Sequence, residues 1–237
     1  MAKVILFKNN KGGVGKSLLC FWTAHILSTL SKSNDKKNKV LILTSDSQNN
    51  IMQMAGTKSG YGDGLQGYID GRGSDLIKLR EGLFYVPLTS TGVKRTFETR
   101  FLDVIEIFKA QYDYILIDGS PVLKLDNIFL EVSDKVVIPT FLDNVTTKGM
   151  VNLIGEVGVD KVAMIVPNRV GRSKMEQEHL NKLKKSLEGV GAVITDPIYQ
   201  TSKIMQLTEK SKTIMETKSK QYNDIKQIFA KIVKGVM

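Results

Sequence analysis

Lys16 and Ser17 close the stretch Asn9-Asn10-Lys11-Gly12-Gly13-Val14-Gly15-Lys16-Ser17, and they are the residues of this chain best suited to phosphate chemistry. The glycines leave no Cβ between the backbone and an incoming anion, so successive N–H groups can turn inward on phosphate oxygens. The Lys16 ammonium is placed to reach the outer phosphates of a nucleotide, and the Ser17 hydroxyl to ligate the Mg²⁺ that accompanies them. Asn10 stands where the general phosphate-loop pattern has glycine; asparagine is the non-glycine residue that best tolerates left-handed backbone angles. A second metal candidate is Asp118, at the end of the apolar run Tyr114-Ile115-Leu116-Ile117, where a carboxylate holds Mg²⁺ through water opposite Ser17. An apolar run ending in Asp is common by itself and gains meaning only in register with such a loop.

A phosphate loop needs a buried strand before it and a helix after it. Val4-Ile5-Leu6-Phe7 supplies the strand, and Leu19, Trp22, Ile26, Leu27 and Leu30 recur at helical spacing from Lys16 to about Leu30. That helix directs its positive end at the same anion site. Val40-Leu41-Ile42-Leu43 is a second buried strand. It delivers Thr44, Ser45, Asp46, Ser47 and Gln48 at its C-terminal end, where open α/β sheets bind ligands. Leu83–Val86 reads as the third strand, and Phe97, Phe101, Val104, Ile105 and Phe108 mark a helix face that packs in the core. Val136–Ile138 and Val162–Val166 read as further strands, the latter ending at Pro167-Asn168-Arg169. Leu180, Leu183 and Leu187 hold down a highly charged helix, while Tyr222, Ile225, Ile228, Phe229, Ile232, Val233 and Val236 form an amphipathic C-terminal one. Ser31–Asn38 is a polar surface turn, and Gly56–Gly73, with seven glycines, is a connection holding one short helix around Leu65–Ile69. Its length suits either a segment that rearranges with nucleotide state or a passive loop. His25, inside the first helix, has no evident partner and reads as structural.

The chain's 237 residues fit one large α/β domain spanning 1–237, with 42% hydrophobic residues and no apolar run of membrane-spanning length. A lone Cys20 excludes an internal disulfide and opposes a cysteine-ligated cluster. The first strand begins at once, leaving no room for a signal peptide, so the expected location is the cytoplasm. Net charge is +10, and from Arg169 onward 14 Lys/Arg face 7 Asp/Glu. That bias suits a polyanion partner, nucleic acid or an anionic membrane face, and equally suits ordinary solvated helix faces.

Lys11-Gly12-Gly13-Val14-Gly15-Lys16-Ser17 closely resembles the deviant Walker A box of the ParA/MinD family of ATPases. The resemblance covers nearly the whole chain in order: phosphate loop, Asp46 segment, Walker B strand, Asn-Arg pair and terminal helix. It implies a three-layer P-loop NTPase fold, with a mostly parallel central sheet flanked by helices, and ATP and Mg²⁺ as cofactors. ATP contacts are then expected from Lys11, Gly12, Gly13, Val14, Gly15, Lys16, Ser17, Leu18, Asn168, Arg169 and Pro197, and metal contacts from Ser17, Asp46 and Asp118. Lys11 is implied to cross a dimer interface to phosphates in the other subunit, a task that suits a flexible ammonium. Asp46 is implied to orient the attacking water and to help the metal shell; its other reading is a helix N-cap. Asn168 resembles the residue that reads adenine, with a turn former as the alternative. Ala192–Thr195 resembles the family's last strand, and Asp196-Pro197-Ile198 the loop that closes over the base. Asp143, Thr146, Thr147, Lys148 and Gly149 resemble a dimer-interface stretch.

The chain departs from the family at four places. Thr44 replaces the first acid of the Asp-x-Asp-Pro-Gln segment, and Ser47 its proline. The family's Asp-Cys-Pro-Pro is here Asp118-Gly119-Ser120-Pro121, and Leu18 replaces a hydroxyl residue that helps hold the α-phosphate. One lost hydrogen bond is on the order of 1 kcal/mol.

The leading expectation is a ParA-type partition ATPase, nucleoid-associated, that forms a homodimer on ATP and binds DNA without sequence preference. A ParB-like centromere-binding adaptor stimulates its hydrolysis. Lys182, Lys184, Lys185, Lys203, Lys210 and Lys212 are its candidate phosphate-backbone contacts. The alternative is a MinD-type ATPase that cycles on membranes, with Lys226, Lys231 and Lys234 of the terminal helix meeting anionic lipid. An ATP-binding adaptor without turnover is a further reading.

Overall fold

The computed structural model describes residues 1–31, 36–72, 75–90, 95–120 and 123–237. Pro121, Gly73 and part of the Ser31–Asn38 turn lie outside the described residues, as do the side chains of Thr147 and Lys148.

The apolar runs form strands β1 (Lys3–Phe7), β2 (Val40–Thr44), β5 (Tyr114–Asp118), β6 (Lys135–Thr140) and β7 (Val162–Val170). Every residue of β2 is buried, as a parallel strand covered on both faces must be. The sheet order is β3-β4-β2-β5-β1-β6-β7-β8, with β3 (Ile77–Arg80), β4 (Leu83–Val86) and β8 (Val193–Ile194). All neighbours run parallel except β3 and β4. β9 (Ile198–Tyr199) pairs with the far end of β7. The fold is therefore the expected mostly parallel sheet between helical layers.

One layer holds α3 (Gly64–Ile69), α4 (Arg95–Gln111), α5 (Leu123–Glu131), α6 (Asn144–Val157) and α7 (Lys174–Ser186), whose apolar residues share one core. The other holds α1 (Lys16–Thr29), α2 (Asn50–Ala55), α8 (Ser202–Glu209) and α9 (Asn223–Val236), packed on the opposite core. The apolar stripe of α9 is buried from Tyr222 to Val236, with Phe229 5.4 Å from Trp22 of α1. A Cβ on Gly235 would lie 2.1 Å from the Met164 side chain, so α9 packs directly on β7.

Three expectations need correction. Leu83–Val86 is the fourth strand, because Ile77–Arg80 precedes it as an antiparallel edge; its buried-exposed alternation is short, and Gly82 at φ 68° makes the turn. β7 does not stop at Pro167 but continues to Val170, with Arg169 at φ 53°. Ala192–Thr195 is not the last strand, since β9 follows it.

His25 is buried, with Nδ1 2.6 Å from the Thr213 hydroxyl, which gives this residue its structural role. Burial holds its imidazole below its usual pKa, the nearby Glu216 pulling up and Arg80 pushing down. A histidine with a depressed folded pKa binds fewer protons folded than unfolded, so stability is lost as pH falls below about 6.5. His25→Asn is expected to cost about 1–3 kcal/mol at pH about 7.5. That deficit should shrink towards pH about 5 in denaturant titrations; a deficit that grows on acidification contradicts the assignment.

Candidate phosphate and nucleotide site

Parallel pairing of β1 with β5, in the register Phe7↔Asp118, brings the loop that follows β1 beside the carboxylate that ends β5. Gly13 (φ 75°) and Gly15 (φ 97°) take left-handed angles that let the loop wrap inward and enter α1, and Gly15 is the N-cap of that helix. Asn10 is not among the described residues with positive φ, so left-handed tolerance is not what it contributes. The loop is anchored on both sides. Asn9 Nδ2 donates to the Pro139 carbonyl at 2.6 Å and Asn9 Oδ1 accepts from the Lys11 N–H at 2.8 Å. Asn168 Nδ2 donates to the Val14 carbonyl at 2.8 Å. A Cβ on Gly15 would stand 2.2 Å from that same Asn168 amide nitrogen.

Lys16 is 8% exposed, and its ammonium donates to the Lys11 carbonyl at 3.0 Å. Burial lowers its pKa against the pull of Asp118, Asp126 and Asp46. Asp118 is 2% exposed; burial pushes its carboxyl up to about 7, while a hydrogen bond from Ser17 and the charge of Lys16 draw it down. Its Oδ1 has no hydrogen-bond partner among the described residues. A buried carboxylate with one oxygen orphaned, hydrogen-bonded by Ser17, is the donor set that a hard cation arriving with phosphates needs. No group of three or more His, Cys, Asp or Glu side chains placed to hold a metal occurs among the described residues. Mg²⁺ does not require one, because it keeps waters and phosphate oxygens in its shell. Ser17 and Asp118 therefore fit a Mg²⁺-nucleotide.

Asp46 borders the same cleft. Its Oδ1 accepts from Gln48 N–H at 2.9 Å, its Oδ2 from Asn50 Nδ2 at 3.1 Å, and its own N–H donates to the Thr44 hydroxyl at 2.9 Å. It is not the cap of α2; Asn49 holds that position, at φ 49°. Thr44, in place of an acid, thus sets the backbone of Asp46. Ser45 and Ser120 tie the two acid-bearing segments together, the Ser120 N–H donating to Ser45 Oγ and the Ser120 hydroxyl to the Ser45 carbonyl at 3.1 Å.

The cleft has a volume of about 380 Å³ and is lined by Gly12, Gly13, Gly15–Leu18, Asp46, Gly119 and Ser120, among others. A second cavity of about 370 Å³ shares Gly15, Leu18, Met54 and Arg169 with it and continues to Asn168, Tyr199, Gln200 and Thr201. The polar half suits phosphates and the more apolar half a base. Leu18 is part of the wall between them. Val14 is buried, and Pro197 does not line the second cavity; residues just after it do. Asn168 does stand there, though with its amide committed to the loop.

Lys11 points the other way. Its ammonium lies 2.6 Å from Asp143 Oδ2 and 3.3 Å from the Thr146 hydroxyl, above the Phe141 ring. Burial works against ionisation of Asp143, yet the Lys11 and Thr146 hydrogen bonds bring it down to about 2.

The six candidate DNA lysines do not form one patch. Lys182, Lys184 and Lys185 are exposed on α7, whose Leu180 and Leu183 enter one core. Lys210 and Lys212 are exposed just beyond α8, whose Leu207 enters the other core. Lys203 is half-buried and donates to the Gln221 carbonyl at 3.1 Å. Residues given no role by the sequence also matter: Lys8, Ser45, Asn49 and Ser120. Asn49 alone accepts from the Tyr85 hydroxyl and Leu88 N–H and donates to the Leu88 carbonyl. Only a charged residue at the end of a buried strand, at Lys8, offered a signal.

A family model described as the CobQ/CobB/MinD/ParA nucleotide binding domain matches residues 5–214. The chain is 28% identical over 232 residues to the sporulation initiation inhibitor protein Soj of Bacillus subtilis (strain 168), covering 92% of this chain and 82% of Soj. It spans 63% of the length of two Pseudomonas putida relatives, 29% identical over 174 residues. The fold superposes on apo McdA of Cyanothece with a TM-score of 0.82 at 15% identity, over the whole of both chains. It superposes on a Borrelia burgdorferi B31 plasmid partition protein bound to AMPPNP with a TM-score of 0.74 at 20% identity, covering 98% of this chain and all of that one.

Two substitutions test the site. Gly15→Ala combines a left-handed angle with a clash at Asn168, and is expected to abolish thermal stabilisation by MgATP. Asp118→Asn removes a buried charge without changing shape, so the nucleotide-free protein should melt a few degrees higher, on the order of 1 kcal/mol or more, while losing Mg²⁺-dependent nucleotide stabilisation. A variant that melts lower and still responds to Mg²⁺ contradicts the assignment of Asp118.

Proposed function

We propose that this chain, which belongs to the CobQ/CobB/MinD/ParA nucleotide-binding domain family, is a slow Mg²⁺-dependent ATPase that pairs with a second copy on ATP and holds DNA without sequence preference. A ParB-like adaptor stimulates turnover, and the expected location is cytoplasmic, on the nucleoid. The observation that carries the reading is the cleft lined by Lys16, Ser17 and Asp46, with Asp118 buried beneath it and hydrogen-bonded by Ser17, at the ends of three adjacent strands. Backbone N–H groups of residues 12–17 and the Lys16 ammonium bind the phosphates, and Ser17 with Asp118 holds Mg²⁺, which neutralises phosphate charge. Asp46, held by Gln48 and Asn50, is within the cleft to orient a water. Lys11 lies outside its own cleft, on Asp143, which suits a lysine that serves the second copy.

DNA is favoured over membrane by the burial of the α9 stripe, which leaves no apolar helix face there to enter a lipid interface. Exposed Lys182, Lys184 and Lys185 on one layer and Lys210 and Lys212 on the other are the cations for a phosphate backbone. Lys203 is the weakest of the six candidates.

Retention on random-sequence duplex DNA and pelleting with anionic liposomes, each with ATP, with ADP and without nucleotide, decide between the two. ATP-dependent, salt-sensitive DNA retention without pelleting is expected, and the reverse pattern sinks the reading. Asp46→Ala should still bind ATP and dimerise, with turnover reduced about 10²-fold; unchanged turnover removes Asp46 from the mechanism.

A further inference from the structure

Lys8 follows β1 directly and immediately precedes the phosphate loop, yet its side chain is only 2% exposed. Its ammonium lies 2.7 Å from Asp126 Oδ2 and 3.2 Å from Glu156 Oε1, while its backbone N–H donates to Val137. Asp126 comes from the first turn of α5 and is 3% exposed at its side chain; Glu156, on α6, is 41% exposed and forms the rim. The second Asp126 oxygen has no hydrogen-bond partner among the described residues. It borders Gly119: a Cβ there would lie 3.7 Å from it and 2.7 Å from the Phe7 carbonyl. Gly119 in turn lines the phosphate cleft. The ion pair therefore stands directly behind the strand ends that carry the cleft.

Stability does not account for it. Taking an ammonium and a carboxylate out of water costs several kcal/mol per ion, and their attraction does little more than offset that, so two apolar side chains would hold the fold as well. What a hydrogen-bonded pair adds is direction.

We propose that the Lys8–Asp126 pair is a positioning element of the phosphate site, fixing the first turn of α5 against the end of β1 so that Asp118, Gly119 and Ser120 keep their places opposite Lys16 and Ser17. The inference rests on the ATPase reading above. Neither residue lines the cleft; besides the effect of their charges on Lys16, both act through the segment that follows β5. Between that segment and β1 runs a backbone bond, Gly119 N–H to the Phe7 carbonyl at 3.1 Å, which reports its position.

The test uses the full chain with Lys8→Met/Asp126→Leu, which leaves no buried charge unpaired, and Asp126→Glu, which keeps the pair but displaces it by one methylene. Both are expected to melt close to the wild type and to bind MgADP within about threefold of it, yet to hydrolyse ATP at least about tenfold more slowly in single turnover. In the nucleotide-free double variant, amide exchange at residues 118–120 should be faster than in the wild type. Wild-type hydrolysis and exchange in either variant overturn the positioning role. If the double variant does not fold, Asp126→Glu decides alone by the same two measurements. A wild type that neither binds nor hydrolyses ATP overturns the ATPase reading itself, and this inference with it.

Discussion

Everything in the site follows from the parallel alignment of β1 between β5 and β6. Because β1 and β5 run in the same direction and in the register Phe7↔Asp118, their C-terminal ends open at the same edge of the sheet. The glycine loop and the metal-binding carboxylate are therefore neighbours, although about a hundred residues separate them in the chain. β2, on the other flank of β5, ends in the register Thr44↔Asp118 and adds Asp46 to the same edge. A one-residue slip of any of these strands would turn its final side chain to the opposite face of the sheet. Dense apolar burial on both faces of the sheet holds the register.

Charge is concentrated at that edge with little water to screen it. Asp118 and Lys16 lie within each other's field, each carrying a desolvation cost. An anion-binding loop rimmed by buried, partly unsatisfied groups is less comfortable empty than occupied, since a ligand supplies the missing partners. The fold compensates with backbone anchors: Asn9 on β6, Asn168 on β7, and the Ser45–Ser120 bridge between the acid segments. These hold a charged loop still without adding further charge.

The sheet core and the loop were legible because long apolar runs and glycine spacing report local requirements directly. The short edge strand β3 was not, since four residues in alternation, Ile77 to Arg80, leave too weak a pattern beside a glycine-rich connection. Lys8 is only a weak signal, because a lone lysine at a strand end ordinarily reaches solvent and only the tertiary fold supplies Asp126. Asn49 sits in a run of small polar residues that reads as a loop, yet it bonds to both backbone groups of Leu88, just beyond β4, and to Tyr85. The six lysines near the C-terminus were legible as charge but not as a surface, because sequence proximity does not tell which side of a sheet a helix covers.

The seating of α9 on α1 has a consequence for how the protein is made. Helix α1 carries Lys16 and Ser17 at its start, and its inner residues, Trp22 among them, are sealed by Phe229 and its neighbours from near the other end of the sequence. During synthesis the amino-terminal strands and α1 emerge first, but that side of the sheet stays open until residues 225–236 clear the ribosome. The strands and helix of the nucleotide-binding half are thus translated well before α9, and until α9 emerges an apolar groove waits for its cover. Chaperone dependence of the nascent chain should accordingly persist until α9 has emerged.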